Sequence, residues 1–111
     1  MRHLIASALI ILVASAHTCP AQTATPESLA REFQELAQRF AVASERLKLS
    51  GFEKDAHECG RLKTVSRETW GLARVLSYPQ FDSIRKERIR ELQEGVINLK
   101  KLLTACEDSR V

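Results

Sequence analysis

Few residues of this 111-residue chain have side chains that could carry covalent, metal or acid–base chemistry. The most informative are the three cysteines, Cys19, Cys59 and Cys106, together with His57. Thiols act as thiolates on metals and electrophiles, or they form disulfides in oxidising compartments. Which of these is open to the chain depends on the compartment it enters and on the elements that carry the cysteines.

The spacing of the candidate ligands argues against a metal site. Glu53 and His57 lie at i and i+4 and share a helical face, but Cys59 comes two residues later and points elsewhere on a helix. Structural zinc sites present four converging ligands. The only methionine is Met1, and no Cys-x-x-Cys-His sequence for haem attachment occurs. We expect neither a metal nor another cofactor.

Catalytic groups are equally sparse. The candidate nucleophiles are Ser44, Ser50, Ser66 and Ser77. None of them has a readable base and acid partner, because His57 is the only histidine after the N-terminal segment. Carboxylate pairs such as Glu87 with Glu91, and Glu91 with Glu94, are typical of solvated helix faces. We therefore expect no enzymatic activity.

The N-terminal segment, residues 1–21, has the composition of a secretory signal peptide. Arg2 and His3 form a short basic start, an apolar run extends from Leu4 to Val13, and small residues follow. A permanent membrane helix needs about 20 apolar residues, and this run is much shorter. The sequence predicts an extracytoplasmic protein, periplasmic or secreted, with no stable membrane insertion after the signal is cleaved.

Two cleavage sites fit the small-x-small rule for signal peptides. Cleavage after Ala16 retains Cys19 as an odd thiol, whereas cleavage after Ala21 removes it and leaves an even cysteine count. We favour cleavage after Ala21, which is followed by a short polar leader, residues 22–26. Loss of Arg2 with the signal lowers the formal net charge from +3 to +2. That excess is too small to indicate a nucleic-acid partner.

The mature chain is predicted to be all-α, an up-down-up three-helix bundle over residues 27–108. Helices are expected at about 26–50, 52–77 and 82–107. Thr25 and Pro26 are suited to begin the first helix, and Gly51 is suited to end it. Tyr78-Pro79 interrupts the pattern before the third helix, which Asp82 or Ser83 could cap.

Apolar residues define the faces by which these helices pack. In the first and third helices they alternate at spacings of three and four, typical of helices that lie nearly parallel. The first seam contains Leu29, Phe33, Leu36, Phe40, Ala43 and Leu47, and the third contains Ile89, Leu92, Val96, Leu99, Leu103 and Cys106. The broader face of the middle helix contains Cys59, Leu62, Val65, Thr69, Leu72, Ala73 and Leu76.

Cys59 and Cys106 lie on the seams of the second and third predicted helices. In an antiparallel hairpin, residues equidistant from the turn are level with each other, and the midpoint of this pair lies just past Pro79. The remaining offset of about four residues, or about 6 Å, can be absorbed by a modest tilt. Two reduced, buried cysteines are the alternative. After an export signal we predict a disulfide.

One stripe of the middle helix is a candidate partner-binding surface. It consists of Lys63, Arg67, Trp70 and Arg74, at i, i+4, i+7 and i+11. Tryptophan and arginine are enriched at protein interfaces. A second basic cluster opens the third helix with Arg85, Lys86 and Arg88. The alternative is that Trp70 seals the edge of the bundle under arginine stems, and that the second cluster is a solvated face.

These observations predict a small exported, non-enzymatic helical protein that binds another protein, as an inhibitor, immunity protein or adaptor does. Two alternatives stay open. One is a periplasmic, chaperone-like protein that senses a ligand or stress when its helices separate. The other is a structural bundle, a homo-oligomer that self-associates through Leu102, Ile97 and Trp70.

Overall fold

A computed structural model describes residues 24–108 of the chain. This part contains three long helices, one short 3-10 helix and no strand. The elements are α1 (Pro26–Leu49), α2 (Glu53–Val75), the 3-10 helix Pro79–Phe81 and α3 (Arg85–Asp108). The prediction of an all-α protein is confirmed, and the arrangement is consistent with a helical bundle. The predicted signal peptide lies outside the described residues.

Long-range contacts give the relative directions of the helices. Cys59 near the start of α2 is joined to Cys106 near the end of α3, so these two helices run antiparallel. Arg46 near the end of α1 donates from Nη2 to the carbonyl oxygen of Glu107 at 2.9 Å. The ends of α1 and α3 therefore lie together, and α1 and α3 run in the same direction.

The first helix begins at a capping box. The Ser28 N–H donates to Thr25 Oγ1 at 3.0 Å, and the Thr25 N–H donates to Ser28 Oγ at 2.9 Å. These bonds satisfy backbone donors that the first turn would otherwise leave unpaired. Pro26 occupies the first helical position, as the sequence indicates, because its missing N–H has no helical partner there.

The turn between α1 and α2 is a glycine-dependent helix ending. Gly51 adopts a φ of 89°, a left-handed backbone conformation that residues with a side chain disfavour. The Phe52 N–H then donates to the Leu47 carbonyl oxygen at 2.9 Å, which pairs one of the last free carbonyls of α1. The turn is therefore short and sets the register of the α1–α2 hairpin.

Small residues bring α1 and α2 close together. Ser44 Oγ donates to the carbonyl oxygen of Ala56 at 2.8 Å, across the hairpin. A Cβ placed on Gly60 would lie 3.4 Å from the same hydroxyl oxygen. These distances show that the side chain of Ser44 directly contacts the backbone of α2.

The close approach extends along the hairpin at intervals of two helical turns. Counting seven residues from Ser44 and from Cys59 places Ala37 level with Ser66, and Ala30 level with Ala73. All four of these residues are buried, and Ser66 and Ala73 are fully so. The Ser66 hydroxyl donates to the carbonyl of Leu62 at 2.9 Å, which satisfies it without a partner from α1.

The core is centred on α1. Every residue of its predicted seam is buried, and Phe33, Phe40 and Leu47 have no exposed surface. From α3 the core receives Val96, Leu99, Leu103 and Cys106, with Ile89 and Leu92 partly buried. The expectation for α2 is wrong in part, because Val65 is 43% exposed and Leu72 is 59% exposed. The buried face of α2 is formed by small residues instead.

The connection from α2 to α3 is organised by one arginine. The guanidinium of Arg85 donates to the carbonyl oxygens of Leu76 and Tyr78, and to Asp82 Oδ1 at 2.6 Å. The sequence suggests that Asp82 or Ser83 caps the third helix, which is predicted to begin at about residue 82. In the structure the helix begins at Arg85, and the Asp82 carboxylate accepts from that arginine.

Candidate interaction site

Cys59 and Cys106, which the sequence predicts to pair, form a disulfide in the structure. Their Sγ atoms lie 2.09 Å apart and their Cα atoms 6.2 Å apart, as predicted for a Cys59–Cys106 disulfide. Both residues are buried, at 4% and 6% exposure. A bridged sulfur is neither a thiolate nucleophile nor a metal ligand, so this pair has a structural role.

Polar contacts reinforce the disulfide at the same end of the molecule. Arg39 donates to both carboxylate oxygens of Glu107, from Nη2 at 2.6 Å and from Nε at 3.0 Å. This hydrogen bond, and then the attraction of the carboxylate, raises the pKa of Arg39. The end of α3 is held to α1 as well as to α2.

Trp70 lies at the boundary between core and surface. Its side chain is partly buried and packs against the hydrophobic core. The guanidinium carbon of Arg74 lies over the indole, 5.6 Å from the ring centroid, within the range of a cation–π contact. The residues beside Trp70 on α1 include Gln34 and Gln38. The indole is thus both an edge of the core and part of an accessible groove.

The basic residues beside Trp70 have no acidic partners within the described part of the chain. No carboxylate between residues 24 and 108 lies within 4 Å of the charged nitrogens of Lys63, Arg67 or Arg74. Arg67 and Arg74 are exposed, and Lys63 is partly exposed. The predicted stripe is therefore one surface with three positive charges that form no ion pair with a carboxylate of residues 24–108.

The second predicted cluster differs in its electrostatics. Arg85 is turned inward onto the α2–α3 connection. Arg88 pairs with Glu91 at 2.8 Å. Lys86 is exposed, and the charged nitrogens of the neighbouring Arg90 lie within 4 Å of two carboxylates, those of Glu87 and Glu94. The carboxylates of Glu87, Glu91 and Glu94 are thus paired with Arg88 of this cluster or with the neighbouring Arg90.

His57 and Glu53 line a cavity of about 530 Å³ between the end of α1 and the start of α2. Lys48 and Arg61 line the same cavity. Within residues 24–108, no group of three or more histidine, cysteine or acidic side chains is arranged to hold a metal ion. Lys48 and Arg61 therefore place positive charge beside His57.

Some residues of the surface around Trp70 were missed by sequence reasoning. Arg31, Gln34 and Gln38 of α1 face the basic stripe of α2 across the groove. Their positions flank the small residues Ala30 and Ala37, so the seven-residue spacing of small side chains is the signal that could have identified them. That signal is weak when hydrophobicity alone is read, because alanine contributes little to an apolar face.

Comparison of the chain with protein-family models, curated proteins and solved structures found no match. Between residues 24 and 108, none of the helices is both long enough and apolar enough to span a membrane. The function of the protein is therefore inferred from the chemistry and geometry of the described surface.

Proposed function

We propose that this protein is a small extracytoplasmic, non-enzymatic interaction module that binds another protein, as inhibitors, immunity proteins and adaptors do. The observation that carries the proposal is the surface formed by Lys63, Arg67, Trp70 and Arg74. It combines a large aromatic side chain with positive charges that have no carboxylate within 4 Å in the described chain. Such anchors dominate the energetics of many protein interfaces.

Export is part of the same proposal. A signal peptide over residues 1–21, cleaved after Ala21, delivers the chain to a compartment where the Cys59–Cys106 bridge persists. The intact mass of the natural protein, with and without reductant, tests both points. We expect a chain that begins at Gln22 and gains two hydrogen atoms on reduction. A mass that includes residues 1–21, or two free thiols, would contradict the proposal.

Affinity capture from the exported fraction tests the binding role. The wild-type protein should retain a stoichiometric partner, and the double variant R67E/R74E should lose it because both charges reverse at the surface. The matched control is K100E/K101E, which makes the same charge change at two exposed positions of α3. Equal capture by all three proteins, or no stoichiometric partner for the wild type, would count against this function.

Self-association is a second candidate, supported by a separate observation. Val65, Leu72, Ile97 and Leu102 are between 43% and 59% exposed, although all are large and apolar. Val65 and Leu72 lie seven residues apart and share one face of α2, and exposed apolar side chains on one helix face can form an interface. Sedimentation of the wild type and of V65S/L72S distinguishes the candidates, because a bundle that self-associates should shift towards monomer in the variant.

A further inference from the structure

The surface around Trp70 is the middle of a longer groove between α1 and α2. Three cavities follow one another along it, with volumes of about 530, 300 and 290 Å³. The first lies at the α1–α2 turn beside Glu53, and the last lies at the open end of the hairpin beside Glu27 and Ser77. The helical part of this span, residues 53 to 75 of α2, corresponds to about 33 Å. We call this feature the α1–α2 groove.

The α1–α2 groove is strongly basic. The basic residues that line it are Arg31, Lys48, Arg61, Lys63, Arg67 and Arg74. None of these six has a carboxylate within 4 Å between residues 24 and 108. Only two carboxylates line the groove, Glu53 at one end and Glu27 at the other. The central part of the groove therefore has an uncompensated positive charge that favours an anionic occupant.

The shape of the groove suits a helix. Its lining includes the small residues Ala30, Ala37, Ala41, Ala56 and Gly60. Small side chains between two helices let a third helix approach closely. No residue of α3 lines any of the three cavities, so this side of the hairpin has no helix of the described chain packed on it. A helix placed here would contact α1 and α2 on the side of the hairpin that α3 does not line.

An anionic membrane fits the groove less well than a protein helix does. Surface-bound helices and domains insert large apolar side chains into the lipid. The exposed large apolar residues of the described chain are Val42, Leu49, Phe52, Val65, Leu72, Tyr78, Ile84, Ile97 and Leu102. None of them lines the α1–α2 groove.

We propose that the α1–α2 groove binds an acidic helical segment of the partner protein. The inference rests on the proposed binding function and names the chemistry of the partner. Carboxylates on the sides of that helix would pair with the basic residues along both walls, and its apolar strip would cover the small residues between them. Trp70 would lie near the centre of the interface, where aromatic anchors contribute most.

A defined peptide can take the place of the partner in a test of this proposal. The probe is a glutamate-rich peptide of about 24 residues, held as a helix by a hydrocarbon staple on its far face. A peptide of the same composition with a central proline, which cannot remain helical, is the comparison. We expect the stapled peptide to bind at least about tenfold more tightly, and increasing salt to weaken binding.

Protein variants locate the binding site. R67Q/R74Q and R67E/R74E should weaken binding of the stapled peptide by about tenfold or more, whereas K100E/K101E should change it by less than about twofold. The glutamine pair keeps the result interpretable if charge reversal perturbs folding. In amide spectra of the full chain, the peptide should shift the Trp70 indole and Gly60 signals.

Each other outcome overturns the proposal in a recognisable way. Equal binding of the stapled and proline peptides would exclude recognition of a helix. Binding to phosphatidylglycerol vesicles with the same dependence on Arg67 and Arg74, and no binding of the peptide, would identify lipid instead. If neither probe binds but capture of the natural partner still needs Arg67 and Arg74, this inference fails and the proposed function stands. If capture is also insensitive to these arginines, both fail.

Discussion

Replacement of Cys59 and Cys106 by alanine should lower the free energy of unfolding by about 4 kcal/mol. The disulfide joins residues separated by 47 positions in sequence. In the chain-entropy model, closing a loop of this length removes about 14 cal/mol/K from the unfolded ensemble, which is about 4 kcal/mol at 25 °C. The described part of the chain is small, and domains of this size have a total stability of about 5–10 kcal/mol. The bridge therefore accounts for a large fraction of the stability.

The same loss can be expressed as a melting temperature. The entropy of unfolding is about 2.1 cal/mol/K per residue near 60 °C, or about 180 cal/mol/K for a domain the size of the described chain. A destabilisation of about 4 kcal/mol then lowers the melting temperature by about 20 °C. Urea and thermal unfolding, followed by far-UV circular dichroism, measure both quantities on the oxidised protein and on the double variant.

Single variants distinguish the bridge from ordinary packing. Because either substitution breaks the same bond, C59A and C106A should each lose about as much stability as the double variant, so their effects should not add. Two buried, reduced cysteines would instead give small and additive losses. Coincident unfolding transitions of the oxidised protein and the double variant would refute the assignment of the disulfide as the main constraint on α3.

Three further pairs of substitutions probe the backbone and the helix contacts. S66L should destabilise the protein by about 1–3 kcal/mol, because Ser66 is fully buried where α1 and α2 approach closely, while S66A should have a much smaller effect in urea unfolding. G71A should stabilise the protein by about 0.5–1 kcal/mol, because nothing lies within 4 Å of the added Cβ and alanine favours a helix more than glycine does. G51A should destabilise it, because an alanine side chain disfavours the φ of 89° that Gly51 adopts. R85A should lower the melting temperature more than K86A does, because Arg85 holds two carbonyl oxygens of the α2–α3 connection and Lys86 holds none. A larger effect for Lys86 would mean that the connection is stabilised in another way.

The first helix could be predicted closely from the sequence because several independent signals coincide there. Its apolar residues follow one unbroken pattern of threes and fours, and every one is buried. Thr25 and Pro26 define its start, and Gly51 follows its end with the left-handed φ that the prediction requires. The pairing of Cys59 with Cys106 could also be predicted, because counting residues on either side of the Pro79 break makes the bridge feasible and the predicted export signal favours it over two reduced thiols.

The middle helix could not be predicted as well because it carries two overlapping stripes. A reading by hydrophobicity selects Val65 and Leu72, which are exposed in the structure. The side of α2 that packs on α1 is selected by volume instead, and includes Ser66 and Ala73. Burial of a serine is inexpensive here because its hydroxyl returns to the carbonyl of Leu62. Hydropathy scales do not account for this intrahelical hydrogen bond, so they rank the serine as a residue that should be exposed.

The basic residues show why placement matters more than count for function. Sequence spacing presents both basic clusters as candidates for an acidic partner. In the structure, Arg85 is bound to backbone oxygens and Arg88 to Glu91, so an acidic partner would have to displace existing contacts to reach them. Arg67 and Arg74 have no such contacts with carboxylates in the described chain. A partner carboxylate gains the full interaction only with charges that are not already paired, and this favours the α1–α2 groove over the start of α3.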